Sequence, residues 1–296
     1  MQFAYYPGCS LKQTSSLLDK QTRVVFESLG IQLKEIKDWN CCGATSASKV
    51  NKYLEVGMPA RNIGIAESEN FSEMIIPCSA CYLKTALAKS KLEEDSGLKE
   101  SINTELKHKV QGQLKITSIL EPLFEMAQSG QLAEKVERKL SGIYAVSYYG
   151  CMLTRFPKDI PIQDNIENPK YMDTILESIG CNSLDWNCKT YCCGASAAMY
   201  DYETSTNLMA KIYKDAISRG ANCFVTTCPF CQMNLDSYQN HILEKSNISY
   251  RIPVYFITEL VGRALGLSIE DLQIDRHFIE ATTLIKEAEI NEGDNE

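Results

Sequence analysis

The stretch Asn40-Cys41-Cys42-Gly43-Ala44 decides the fold, because its adjacent cysteines and glycine recur as Cys192-Cys193-Gly194-Ala195. In both places a single cysteine stands upstream and a C-x-x-C pair stands downstream at similar distances. Ten of the 13 cysteines belong to this repeated pattern, namely Cys9, Cys41, Cys42, Cys78 and Cys81 in the first copy and Cys151, Cys192, Cys193, Cys228 and Cys231 in the second. A pattern of this length that occurs twice indicates a tandem duplication.

The segments around the cysteines are repeated in the same order. Residues 144–151 resemble 2–9, and residues 176–180 resemble 26–30. In each copy short apolar strands alternate with helical segments, which predicts parallel sheets and an α/β fold. We therefore expect two tandem, duplicated Rossmann-like domains with parallel sheets, related by a pseudo-twofold axis. Their predicted bounds are residues 1–141 and 142–290, followed by an acidic tail at 291–296.

Three local features are also predicted. A helix is expected over residues 49–68, with Pro59 as a break or first-turn residue. Asn168 and Pro169 are expected to supply the N-cap and the first-turn proline of a helix in the second copy. The three histidines stand beside no cysteine motif and are expected at the surface.

Composition limits the function classes. The chain has 296 residues, 44% of them hydrophobic, with a net charge of −8 and a pI near 5.1. This balance argues against a uniformly basic, nucleic-acid-binding surface. No apolar run approaches the roughly 18 residues that a membrane span needs, and the start of the chain lacks signal-peptide features. We expect a cytoplasmic protein whose cysteines are metal ligands or redox thiols rather than structural disulfides.

All the patterned cysteines follow predicted strands, so they are expected at the edge of the sheet where open α/β folds bind ligands. A single zinc ion takes four ligands, whereas each copy offers five. Neighbouring thiolates can reach separate irons of a multinuclear cluster, and glycine lets the backbone turn closely around it. Zinc remains an alternative. A dithiol oxidoreductase built on Cys78 and Cys81 is another, although it leaves the double cysteines without a role.

The pattern of a lone cysteine, CCG and C-x-x-C resembles the cysteine-rich CCG domain. Two copies over essentially the whole chain resemble the catalytic B subunit of the cytoplasmic coenzyme B–coenzyme M heterodisulfide reductases. This resemblance implies two non-cubane [4Fe-4S] clusters, one per domain, with a disulfide substrate bound between them. The first cluster would be held by Cys9, Cys41, Cys42, Cys78 and Cys81, and the second by Cys151, Cys192, Cys193, Cys228 and Cys231. Each cluster could supply one of the two electrons that a disulfide accepts.

The chain lacks the cysteine run of ferredoxin-type clusters, so its electrons must come through a partner. In the family the partners are a ferredoxin-like iron–sulfur subunit and a flavin-containing subunit. CCG domains also occur in glycolate, lactate and glycerol-3-phosphate oxidising systems, where this chain would relay electrons toward a quinone. A zinc-binding module without turnover is the alternative from another class.

Residues near the cysteines could bind the anionic coenzymes. The basic candidates are Lys12, Lys84, Arg155 and Lys189. Cys188 repeats the register of Cys41, as though four residues had been gained before Cys192, and it is a reserve ligand. Cys181 and Cys223 fall outside the pattern and are expected to be packing residues.

Overall fold

A computed structural model describes residues 2–155, 164–246, 248 and 250–293. In this part of the chain eight strands form two four-stranded sheets, and every strand pair is parallel. The first sheet has the order β2-β1-β3-β4, with β1 Gln2–Tyr5, β2 Gln32–Glu35, β3 Glu73–Ile76 and β4 Lys115–Ser118. The second has the order β6-β5-β7-β8, with β5 Tyr144–Ser147, β6 Asn182–Ser183, β7 Cys223–Thr226 and β8 Val254–Phe256. The predicted α/β class with two duplicated parallel sheets is confirmed.

Helices connect the strands. Those of the first half are α1 Gly8–Leu11, α2 Ser16–Ser28, α3 Ala47–Val50, α4 Lys52–Ser68, α5 Ser79–Glu94, α6 Ser96–Glu105 and α7 Leu120–Gln128. Those of the second half are α8 Tyr171–Ser178, α9 Tyr202–Ser218, α10 Pro229–Ser237, α11 Gln239–Ser246, α12 Ile257–Ala264, α13 Ile269–Leu272 and α14 Thr282–Gly293. Short 3₁₀ turns cover Ala133–Lys135 and Ile274–Arg276.

The inner strands are buried on both faces, as parallel sheets require. In β3 Met74, Ile75 and Ile76 are fully buried, and in β7 all four residues are buried. The edge strand β2 alternates between exposed and half-buried positions, because only one of its sides has a neighbouring strand. Burial of the inner strands therefore fixes the register of the loops that follow them.

Contacts divide the described residues into two compact units. One contains residues 2–121 and Arg155, and the other contains 122–154 and the residues from 164 onward. The segment before β5 packs on the second unit, since the backbone N–H groups of Glu137 and Arg138 both donate to the carbonyl of Ala264. The bounds proposed from the duplication, 1–141 and 142–290, remain a prediction.

Two local predictions are wrong. The break falls at Asn51, whose backbone is extended and whose side chain accepts the N–H of Tyr53 at 2.8 Å, while Pro59 lies buried inside α4. The cap at Asn51 starts the helix. Asn168 and Pro169 both precede α8, whose N-cap is Lys170.

A third prediction fails at His277, because its side chain is only 1% exposed. The residue is bound to the buried carboxylate of Glu259, which sequence alone did not indicate. Among the described helices, none combines the length and the apolarity that crossing a membrane would need.

Candidate metal centre

The topology of each sheet explains why the cysteine loops meet. Strands β2, β1 and β3 are neighbours, and their loops carry the double cysteine, Cys9 and the C-x-x-C pair respectively. The order β6-β5-β7 repeats this arrangement in the second unit. Carboxyl ends of parallel strands lie at one edge of a sheet, so three adjacent loops deliver five sulfurs to each edge.

In the first unit the sulfurs lie in close pairs. The Cys9 and Cys41 Sγ atoms are 3.5 Å apart, and the Cys42 and Cys81 Sγ atoms are 3.2 Å apart. The side chain of Cys78 is hydrogen-bonded to that of Cys81, and Cys78 occupies the N-cap position of helix α5. Cys9 is exposed and Cys41 is half-buried, whereas the other three are buried. The set therefore has one accessible side and one buried side.

The second unit repeats these contacts at slightly longer distances. The Cys151 and Cys192 Sγ atoms are 4.0 Å apart, and the Cys193 and Cys231 Sγ atoms are 3.6 Å apart. Cys228 occupies the N-cap position of helix α10, with backbone angles close to those of Cys78. Its side chain is hydrogen-bonded to that of Cys231. Cys151 and Cys192 are half-buried and the remaining three are buried. All thirteen cysteines are free thiols.

Two glycines in each unit are required by the backbone. Gly8 and Gly150 have φ of 76° and 65°, and a Cβ on them would lie 2.7 Å from Cys81 Sγ and 3.1 Å from Cys231 Sγ. Gly43 and Gly194 have φ of 73° and 77°, and their N–H groups lie 3.4 Å from the sulfurs of Cys41 and Cys192. Side chains at any of the four would strain the turn or displace a neighbour.

Hydrogen bonds among the thiols of the first set lower the pKa of some of them and raise the pKa of others. Hydrogen bonds from Cys41 and Cys81 lower the pKa of Cys42 to about 3. The hydrogen bond with Cys42, followed by burial, raises the pKa of Cys41. The hydrogen bonds with Cys42 and then with Cys78 raise the pKa of Cys81. The bond to Cys81 lowers the pKa of Cys78, which also lies at the positive end of α5. The first set therefore combines thiolate with protonated sulfur.

The register of the second set follows from a tyrosine contact. Tyr6 donates its hydroxyl to the carbonyl of Asn40, the residue before Cys41, at 2.8 Å. Tyr148 donates to the carbonyl of Tyr191, the residue before Cys192, at 2.6 Å. This match supports Cys192 as the counterpart of Cys41.

Cys188 has a side-chain hydrogen bond with Asp215. It is 2% exposed within the apolar core that also contains Trp186 and Phe224. Burial, and then the carboxylate of Asp215, raise the pKa of Cys188 to about 11. Cys181 and Cys223 are buried as well, the second within β7.

Three of the four basic candidates bind carboxylates of their own unit. Lys12 is 2.8 Å from Glu35, and Lys84 is 2.8 Å from Glu55. Lys189 is 3% exposed and 2.8 Å from Asp173. Arg155 is exposed. A substrate role for these residues remains a prediction.

The donor set decides which metal group could fit. In the described ranges no three or more His, Cys, Asp or Glu side chains are arranged to hold a single metal ion. The sulfurs instead lie in close pairs that join neighbouring loops, and Gly8 and Gly150 let the sulfurs of Cys81 and Cys231 lie against the backbone. Sulfur-only donors spread over several loops suit an iron–sulfur cluster, in which thiolates bind different irons.

Sequence reasoning missed Tyr6 as part of the site, and it placed Tyr148 near the ligand cysteines but favoured a role in sheet packing. A signal was present, because the duplication aligns both tyrosines three positions before the leading cysteine. Their partners are backbone carbonyls, which no residue pattern reveals.

Comparisons with known proteins agree with this arrangement. The family described as "Cysteine-rich domain", CCG, matches residues 3–85 and 145–236. The chain is 33% identical over 286 residues to the "8-methylmenaquinol:fumarate reductase membrane anchor subunit" of Wolinella succinogenes, covering 96% of this chain and 99% of that protein. It is 28% identical to the B subunit of the ferredoxin:CoB-CoM heterodisulfide reductase of Methanosarcina mazei, covering 94% of each.

A solved structure shares the fold. The crystal structure of a hypothetical protein from Helicobacter pylori matches with a TM-score of 0.76 and 15% identity over 95% of this chain. This chain spans about half of that structure, 52%. Since the CCG family matches more than half of the chain, in both units, the chain belongs to the cysteine-rich CCG domain family and carries two tandem copies of the domain.

Proposed function

We propose that this chain is an iron–sulfur subunit of an oxidoreductase complex that reduces a disulfide of two thiol coenzymes, of the coenzyme M–coenzyme B type. The observation that carries the proposal is the duplicated set of five sulfurs at one sheet edge of each unit. Five thiolates exceed the four that a tetrahedral zinc ion takes. We assign one non-cubane [4Fe-4S] cluster to each set.

Bound clusters of this kind supply electrons one at a time, and a disulfide needs two electrons and two protons to become two thiols. The chain's own residues would prepare the site. Cys78 and Cys228 stand at the N-termini of α5 and α10, where the helix dipole favours thiolate. Cys9 and Cys41, and likewise Cys151 and Cys192, form the accessible side of each set, so a substrate would approach there.

Electrons would come from partner subunits, namely a ferredoxin-like iron–sulfur subunit and a flavin-containing subunit. The relatives named as B subunits of heterodisulfide reductases support an assignment to a complex of this kind.

A second candidate is electron transfer in a quinol-linked, fumarate-reducing complex. The 33% identity to a subunit of such a reductase, over nearly its whole length, favours it. The carboxylates that pair with Lys12, Lys84 and Lys189 also favour it, because they leave fewer cations for anionic coenzymes. The cluster assignment is the same for both candidates.

Metal analysis tests the cluster assignment. Anaerobically purified protein should contain about eight irons and eight acid-labile sulfides per chain, as two four-iron clusters require. Cys42→Ser and Cys193→Ser should each remove about half of the iron, because each loses a ligand of one set only. Zinc without sulfide would contradict both candidates and favour a zinc-binding module.

Turnover by the native complex separates the two candidates. We expect reduction of the coenzyme M–coenzyme B disulfide, lost in both the Cys42→Ser and the Cys193→Ser complexes. Cys181→Ser is the matched control, because Cys181 is buried outside the cysteine sets. If the complex reduces fumarate with a menaquinol analogue and does not reduce the disulfide, the first candidate is rejected and the second is supported.

A further inference from the structure

Tyr6 and Tyr148 occupy the same place in the two units. Each follows the first strand of its sheet and stands three positions before the leading cysteine, Cys9 or Cys151. Both side chains are fully buried, at 0% exposure. Since the two units descend from one duplication, the pair serves as an internal replicate.

Each tyrosine is hydrogen-bonded to the double-cysteine loop through its hydroxyl and to the strand before the C-x-x-C pair through its backbone N–H. The N–H of Tyr6 donates to the carbonyl of Ile75 at 3.1 Å, three positions before Cys78, and its hydroxyl donates to the carbonyl of Asn40 at 2.8 Å. The N–H of Tyr148 donates to the carbonyl of Val225 at 2.7 Å, three positions before Cys228, and its hydroxyl donates to the carbonyl of Tyr191 at 2.6 Å. The side chain of one residue thus connects the loop of the leading cysteine to the double-cysteine loop, while its backbone N–H continues the pairing with the neighbouring strand.

The hydroxyl groups also lie close to the sulfurs. The Tyr6 side chain contacts that of Cys81 and lies near those of Cys42 and Cys41. The Tyr148 side chain likewise lies near those of Cys231, Cys193 and Cys192.

The second unit shows that the contact is specific. Four residues separate Asn187 from Cys192, where the first unit has Asn40 directly before Cys41. The hydroxyl of Tyr148 nevertheless reaches the residue before the double cysteine. Trp39 and Trp186 pack against the two rings at centroid distances of 5.5 and 6.0 Å and hold their orientation.

We infer that Tyr6 and Tyr148 are positioning residues, each of which holds the double-cysteine loop of its own unit beside the loop of the leading cysteine, in the arrangement that a cluster needs. The inference rests on the proposed iron–sulfur function. Loss of one hydroxyl removes a hydrogen bond of about 1 kcal/mol, which loosens the double-cysteine loop about fivefold.

The test uses Tyr6→Phe and Tyr148→Phe in the full chain, because phenylalanine keeps the ring and removes only the hydroxyl. In the iron-loaded protein, each variant should shift the midpoint potential and the electron paramagnetic resonance signal of one cluster and leave the other unchanged. In reduced, cluster-free protein, Tyr6→Phe should speed alkylation of Cys41 about fivefold, and Tyr148→Phe that of Cys192, as the loosened loop opens more often.

Tyr5→Phe is the matched control. Tyr5 is also fully buried, but its hydroxyl donates to Asp19 at 2.8 Å rather than to a cysteine loop. It should lose similar stability without changing either readout. Wild-type potentials and alkylation rates in both tyrosine variants would overturn the inference and leave the proposed function intact. If the wild-type protein contains no iron, the proposed function is overturned. The alkylation rates would still test the contact between the tyrosine and the double-cysteine loop.

Discussion

Gly8 and Gly150 show how closely single residues of the two sites are constrained. Both have positive φ, and both face a sulfur of the C-x-x-C pair across a gap that a Cβ would fill. The left-handed backbone alone costs a non-glycine residue about 1–2 kcal/mol. An added Cβ would also have to push the sulfur of Cys81 or Cys231 aside, which adds to that cost.

We predict that Gly8→Ala removes the iron of the first site, about half of the total, because the new methyl group lies 2.7 Å from Cys81 Sγ. Iron and sulfide analysis measures the effect. Gly30→Ala is the control, since Gly30 has φ of 80° and no atom within 4 Å of the added Cβ. It should show the strain in thermal unfolding and keep its iron. Full iron in Gly8→Ala would contradict the assignment of Cys81.

At the scale of elements, the sequence predicted which loops meet and missed what binds them. Strands before Cys9 and Cys78 were recognisable from their apolar residues, and parallel pairing brings their ends to one edge. The partners of Lys12 and Lys189 were not recognisable, because Glu35 and Asp173 reach them only through packing. Pro59 was misread for the same reason, since its burial in α4 is tertiary.

The four residues gained before Cys192 left the ligand register open in the sequence, because Cys188 and Cys192 both matched Cys41. The carbonyl contact of Tyr148 favours Cys192, while the side chain of Cys188 is hydrogen-bonded to Asp215. A rule based on spacing cannot tell which part of a lengthened loop moves outward.

We predict that Cys188→Ala retains the full iron content and loses only about 1 kcal/mol of unfolding free energy, as for a modest core truncation. Cys192→Ala should lose the iron of the second site. Iron analysis and denaturant unfolding of the two variants, compared side by side, provide the measurement. Loss of iron from Cys188→Ala would place Cys188 among the ligands and overturn the match between Cys192 and Cys41.

At the scale of the whole molecule, a buried charge cluster ties together the second unit. His277 is 2.7 Å from Glu259 of α12 and 4.0 Å from Asp236 of α10, and Asp236 accepts the N–H of Phe278 at 2.8 Å. All three ionisable side chains are at most 1% exposed. Burial lowers the pKa of His277, but the charge and hydrogen bond of Glu259 outweigh it, so the pKa is raised.

This cluster makes stability depend on pH. A histidine whose pKa is raised by folding stabilises fully below its unfolded value of about 6.5, and the contribution is lost as pH rises through the folded value. Burial also raises the pKa of Asp236, so the contribution of Asp236 to stability is likewise lost as pH rises, but at lower pH. Thermal unfolding should therefore shift to lower temperature as pH rises above about 6.5 and through the raised pKa of His277.

His277→Gln should remove most of this slope above pH 6 and cost about 3–5 kcal/mol at pH 6, because buried carboxylates lose their cation. His241→Gln is the control, since His241 is half-buried and its ring packs against Tyr202. Thermal melts across the pH range provide the measurement. An unchanged slope in His277→Gln would assign the pH dependence to other groups.

The tyrosine contact has a consequence for how the two copies could diverge. Its acceptor is a backbone carbonyl, which every amino acid carries, so Asn40 and Tyr191 perform the same task with unrelated side chains. After duplication, mutation was free to replace the acceptor residue and to lengthen the segment before it. Selection acts on the donor and on its distance from the double cysteine, and alignments of such copies are best anchored at those two points.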